Sequence, residues 1–123
     1  MSGARHLGLT PKEATVQIDI HTRHLDDTDE LRRDARARLI TTFARFAARI
    51  RRVRVVIEDV NGPRGGVDKR CRIEVDGLAH GPQVFVADAD HPFAALGRAV
   101  ERARRWVARA AVHPRRPARG AMA

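Results

Sequence analysis

Two stretches of this sequence carry apolar residues at helical spacing along one side only. Few folds accommodate two such helices in a chain of 123 residues. In the first stretch Leu31, Ala35, Leu39, Phe43, Phe46 and Ile50 fall within about 120° of one another. In the second, Leu96, Ala99, Val100, Ala103, Trp106, Val107 and Ala110 form the stripe. Each helix must bury its stripe and leave its other side in water. Both can therefore lie on one face of a common partner layer.

Short alternating segments supply that layer. Val16, Ile18 and Ile20 alternate with Gln17 and Asp19, which predicts a half-buried strand over 15–21. Residues 53–60 are rich in β-branched side chains, with Val53, Val55 and Ile57 on one face. Residues 69–75 alternate again, with Cys71, Ile73 and Val75 against Arg70, Arg72 and Glu74, and 83–88 reads as a fourth strand. The Gly-rich run from Asn61 to Gly66 separates the second and third strands and suits a hairpin with a long loop. Asp26, Asp27, Thr28 and Asp29 supply starting chemistry for the first helix, which the pattern carries to about Ala48. Asp90 can cap the second helix, with Pro92 in its first turn.

The order strand, helix, three strands, helix predicts an α/β two-layer sandwich, β-α-β-β-β-α, with a four-stranded mixed sheet. The crossover helix favours parallel pairing of the first two strands, and the two hairpins favour antiparallel pairing after it. Both helices pack on one sheet face and the other face meets solvent. Three regions are expected: a flexible arm over 1–14, one domain over 15–111, and a basic disordered tail over 112–123, where Pro114 and Pro117 stop any helix.

Charge is distributed unevenly. The formal net charge is +9, yet residues 15–30 carry −4 while 31–54 carry +8 and 91–111 carry +4. Of 24 basic residues only Lys12 and Lys69 are lysine. A GC-rich coding bias accounts for part of that ratio but not for the clustering. Arg98, Arg102, Arg105 and Arg109 lie within about 60° on the second helix, nearly opposite its apolar stripe. On the first helix Arg38, Arg45, Arg49 and Arg52, spaced 7, 4 and 3, also fall within about 60°. A charge run on a helix is ordinarily a solvated face. Four like charges at these spacings repel, however, and a surface selected for stability alone would intersperse more acids than Glu101. The two ridges read as one positive face that tracks phosphates of structured nucleic acid, and these eight arginines are the candidate RNA-binding residues. A membrane surface fits less well, because the apolar stripes are committed to the core. With no Tyr, four Phe and one Trp, and the Phe mostly on core stripes, recognition by shape and phosphate fits better than base stacking.

The remaining signals are weak. Cys71 alternates with core residues and is expected inside. His21 and His24 lack a third ligand, the acids at 26–30 are explained by the helix start, and the Gly62–Gly66 run is followed by a strand rather than a phosphate-loop helix. Ser2 is the only serine. No catalytic residues, metal site, cofactor or small-molecule substrate are expected. The stretch 1–12 lacks the apolar segment of a signal peptide and no run approaches a bilayer span, so a cytoplasmic location is expected, with no membrane partner.

The chain resembles the short-type ribosome hibernation promoting factors, also known as ribosomal subunit interface or ribosome-associated inhibitor proteins. The resemblance rests on Val16-Gln-Ile-Asp-Ile, the Leu31–Leu39–Phe43–Phe46 helix, Ile50-Arg-Arg-Val-Arg-Val-Val-Ile, the run Asp68 to Val75, and the closing His91-Pro-Phe-Ala-Ala-Leu helix. It covers roughly 15–111. It implies the same sandwich, akin to double-stranded-RNA-binding domains, and a protein that binds the small ribosomal subunit in the messenger and transfer RNA channel and silences translation in stressed or resting cells. It implies that basic residues of both helices face the ribosomal RNA, with Arg98, Arg102, Arg105 and Arg109 the firmest match. The glycine-rich loop and the preference for Arg over Lys depart from the best-known members, and no second, dimerising domain follows residue 111, so the long-type mode of joining two ribosomes directly is not expected. A monomer in solution is expected. Two alternatives stand beside this reading: an RNA-binding module acting off the ribosome, and a regulator whose basic face binds an acidic protein, as the family's older name of sigma-factor modulator suggests.

The ends yield a first prediction. A fragment of residues 14–111 is expected to melt cooperatively near the full-length temperature and to bind ribosomes somewhat more weakly at low salt, because the tail arginines add phosphate contacts. Failure of that fragment to fold in a thermal melt would show that a terminal segment completes the core.

Overall fold

A computed structural model describes residues 16–61 and 67–112. The elements run β1 (Gln17–Arg23), α1 (Asp29–Phe43), a 3-10 segment (Ala44–Arg49), β2 (Ile50–Asp59), β3 (Lys69–Gly77), β4 (His80–Ala89) and α2 (Pro92–Val112). The sheet order is β1-β2-β3-β4. β1 pairs parallel with β2, Ile18 beside Val53 and Ile20 beside Val55. β2 with β3 and β3 with β4 are antiparallel, as expected from the hairpins.

Alternation fixes which face each side chain takes. Ile20, Val53, Val55, Ile57, Cys71, Ile73, Val75, Ala87 and Ala89 point to the helical side and are buried. Leu31, Ala35, Leu39 and Phe43 of α1 meet them, with Leu96, Ala99, Val100, Ala103, Val107 and Ala110 of α2, in one cluster. Each fully buried Leu, Ile or Val contributes about 1.5–3 kcal/mol, so this shared cluster holds the two layers together. Burial pushes the Cys71 thiol up to about 12, so at neutral pH it packs as a small neutral group.

The helix starts differ in kind. At α1, Thr28 occupies the cap position without a side-chain bond to the helix, and Asp29 and Glu30 meet the dipole. At α2 the cap comes from His91 rather than Asp90: its Nδ1 accepts the Phe93 N–H at 3.3 Å, with Pro92 at the first helical position. The first helix ends earlier than the apolar spacing suggests. The α-helix stops at Phe43, tightens into the 3-10 segment and gives way to β2 at Ile50. Val112 is the last residue of α2. The expected arm over residues 1–14, nearly all of the expected tail, and the 62–66 part of the glycine-rich loop lie outside the described residues.

The β3–β4 turn is tight and unusual. Leu78 and Ala79 both take left-handed conformations, with φ of 59° and 62°, and Gly77 precedes them at φ 144°. Leu78 is buried, and its N–H donates to the Arg49 carbonyl at 2.8 Å. That contact draws the turn against the start of β2. A Cβ on Gly77 would sit 2.5 Å from the Arg49 oxygen and 2.9 Å from the Ile50 Cα. Only glycine meets both demands, on conformation and on space. Gly77→Ala is therefore expected to cost about 2 kcal/mol or more, read as a lowered melting temperature. An unchanged melting temperature would show that this close approach is not required.

Candidate nucleic-acid interface

The eight candidate arginines divide into three settings. Arg98, Arg102, Arg105 and Arg109 lie on one exposed side of α2, as the spacing predicts. Two of them do not simply face water. Arg98 Nη1 donates to the Asp88 carbonyl at 2.7 Å, and Arg102 Nη1 donates to the Val86 carbonyl. β4 is an edge strand, and these carbonyls lie on its unpaired side. The α2 arginines thus cover part of an open sheet edge. Arg105 instead shares Glu101 with Arg104, at 3.0 and 2.6 Å. The Arg104 hydrogen bond, with Arg105 in support, holds the Glu101 carboxyl at about 2. Arg109 makes no ion pair or hydrogen bond with the described residues.

Arg38, Arg45 and Arg49 form the second setting, along the α1 side of α2. Arg38 pairs with Asp34 at 2.9 Å, and its Nη1 lies 3.2 Å from where a Cβ on Gly97 would be. Gly97 therefore gives the guanidinium room against α2. Arg49 Nη1 donates to the Ala111 carbonyl at 3.3 Å, which satisfies one of the free carbonyls at the α2 C-terminus. Arg45 lies 5.4 Å from the Phe46 ring centroid, in cation–π range. The contacts at Gly97 and Ala111 show that α1 and the 3-10 segment run alongside α2 in the same direction. The two basic ridges are thus neighbours, joined through residues on the 3-10 segment as well as on a helix.

Arg52 belongs to the third setting, which corrects its expected place on the first helix. It lies in β2 beside Gln17, on the sheet face away from the helices, and pairs with Asp19 at 3.0 Å. The helix ends before it, so the 100° step no longer applies and strand parity decides its direction. That open face alternates in charge. Arg51 pairs with Asp76 at 2.8 Å and Arg70 with Asp88 at 2.9 Å. Arg23, Arg54, Val56, Glu58, Arg72 and Glu74 line a cleft of about 140 Å³. This is below the roughly 300 Å³ at which small-molecule sites begin. With acids and bases interleaved, the open face lacks the excess of positive charge that the helical side carries.

Sequence reasoning missed two features. Arg104, on the α1 side of α2, was outside the ridge pattern, and its clamp on Glu101 needed only the spacing of three to be seen. The pairing of Trp106 with His80 joins a helix to a strand and has no local signature.

Comparison with known proteins adds the following. The family model described as Sigma 54 modulation protein / S30EA ribosomal protein matches residues 18–112. Among solved structures, the N-terminal domain of Protein Y from Thermus thermophilus superposes with a TM-score of 0.60 at 24% identity, covering 76% of this chain and 97% of that one. A ribosomal subunit interface protein from Coxiella burnetii superposes with a TM-score of 0.61 at 11% identity, covering 76% and 94%. At these identities the likeness is one of fold. No curated protein matches the sequence significantly.

Two of the four α2 arginines also hold the edge strand β4. Arg98→Ala and Arg102→Ala are each expected to cost about 1 kcal/mol, as a charge-assisted bond to backbone is lost. Arg105→Ala and Arg109→Ala are expected to stay within about 0.5 kcal/mol of the parent. Urea melts of the four single variants check this, and equal stability of all four would contradict the edge role.

Proposed function

Because this chain belongs to the Sigma 54 modulation protein / S30EA ribosomal protein family, we propose that it is a ribosome-associated factor that binds the RNA of the small ribosomal subunit through its basic helical side and silences translation in stress or stationary phase. The observation that carries this reading is the lopsided charge of the fold. The helical side gathers Arg38, Arg45, Arg49, Arg105 and Arg109, with Arg98 and Arg102 at its β4 border, while the opposite face interleaves its charges. A predominantly basic surface of this kind attracts RNA phosphates over a Debye length and gains from counterion release. Guanidinium forks held by backbone carbonyls and by the α2 C-terminus are already oriented, so less side-chain freedom is lost on contact.

The proposed role is stoichiometric occupation of the ribosome rather than chemistry, with no cofactor, no small-molecule substrate and no membrane partner, by a monomer in the cytoplasm. Among the described residues no helix is long and apolar enough to cross a membrane. Arg52, paired with Asp19 on the open face, is the weakest of the eight candidates.

Sedimentation of cell extract through a sucrose gradient tests this reading. The protein is expected to travel with small-subunit particles at low salt and to leave them steeply as salt rises. About four phosphate contacts would give a log–log slope of about −3. Migration with free RNA would favour a module acting off the ribosome. Migration with a protein complex free of RNA would favour an acidic protein partner, and either result contradicts the proposal.

A further inference from the structure

Trp106 stands between the arginine side of α2 and the core, one turn after Arg102 and flanked in sequence by Arg105 and Arg109. It is half-buried and packs against the core from its edge. Its ring meets His80 at 5.1 Å between centroids with an interplanar angle of 74°, and Phe85 at 6.0 Å and 50°. His80 is placed there by the tight turn at Leu78 and Ala79, as the first residue of β4. Its Nε2 is buried with no hydrogen-bond partner. A polar atom in that state costs free energy, and a small turn of the ring that brings it to a ligand supplies the missing bond. Arg102 is fixed at the border of this corner by the Val86 carbonyl. Three aromatic rings and an unpartnered ring nitrogen therefore meet at one border of the basic side, with Arg102, Arg105 and Arg109 nearby along α2.

We propose that this corner holds an unpaired purine base of the bound RNA, stacked against Trp106 and approached by His80, while Arg105 and Arg109 hold the flanking phosphates. The proposal rests on the RNA-binding reading above and adds a base-recognition point to a surface otherwise built for phosphate. A base inside a duplex has no free face for an indole, so the ligand is a loop or bulge nucleotide. Stacking requires only a π face and so tolerates sequence, and the larger ring area of a purine favours it over a pyrimidine.

The chain has one Trp and no Tyr, so its intrinsic emission reports on Trp106 alone. The full chain is titrated with a fluorophore-labelled RNA hairpin carrying a purine loop, and with the same stem carrying an abasic loop. Label anisotropy reads binding and Trp106 emission reads the corner. The purine hairpin is expected to quench emission at the same midpoint as it raises anisotropy. The abasic hairpin is expected to bind about tenfold more weakly and to leave emission unquenched. Trp106→Leu should lose about that tenfold for the purine hairpin alone, and Trp106→Phe should recover much of it. His80→Ala, which leaves the indole in place, should weaken the purine hairpin severalfold and serves where the Leu variant does not fold. Purine-hairpin binding without an emission change overturns the proposal and leaves the RNA-binding reading standing. So do equal affinities of a folded Trp106→Leu chain and its parent. If neither hairpin raises anisotropy, the RNA-binding reading fails and the proposal falls with it.

Discussion

Everything in this fold follows from the commitment of one sheet face to two helices. A four-stranded sheet with helices on both faces would need apolar residues at every strand position. Here the strands alternate, and the alternation sorts the arginines as strictly as it sorts the valines. Val53, Val55 and Ile57 go to the core, so Arg52 and Arg54 must go to the open face. There the acids of neighbouring strands meet them, Asp19 and Glu74 beside Arg54 and Asp76 beside Arg52. On the helices acids are fewer than arginines, Asp34 and Glu101 pair with only some of them, and an excess of positive charge remains. The polarity of the protein is thus a consequence of its layering.

Within that layering, arginine both carries charge and completes structure. Arg98 and Arg102 bond the free carbonyls of the edge strand, and Arg49 bonds a terminal carbonyl of α2. Lysine could place a charge at these positions but has no planar fork to span from helix to strand edge while keeping further N–H groups outward. This gives a physical reason for the near absence of lysine on the helical side. It also explains why the α2 ridge is not uniform: its N-terminal half is tied to β4, and its C-terminal half, with Arg105 and Arg109, is not.

The architecture was legible because each element had a single unambiguous period. The strand order, the parallel first pair, the common face for both helices and the burial of Cys71 all follow from alternation and stripe position. The errors gather where periods meet. The stripe through Phe46 and Ile50 continues helical spacing across a segment that tightens at Ala44 and turns to strand at Ile50. Extending the helix carried Arg52 to the wrong face, although its parity with Val53 and Val55 already placed it opposite the core. Contacts between distant segments left no local trace. Asp90 looked the better cap for α2, and only the geometry shows His91 in that role. The need for glycine at Gly77, set by the Arg49 carbonyl, is visible only in three dimensions. The same holds for the meeting of His80 with Trp106.

The central claim is that the helical side, and not the open sheet face, meets RNA of the small subunit. Equal charge reversals on the two faces test it most directly. Arg105→Glu with Arg109→Glu alters one face, and Arg54→Glu with Arg72→Glu alters the other, for the same change in net charge. Affinities of the two folded variants for purified small ribosomal subunits are measured at one fixed salt concentration. The account predicts a loss of at least about a hundredfold for the helical pair, as phosphate contacts become repulsions, and only a few-fold loss for the sheet pair from the lower net charge. Equal losses, or a larger loss for the sheet pair, would contradict it.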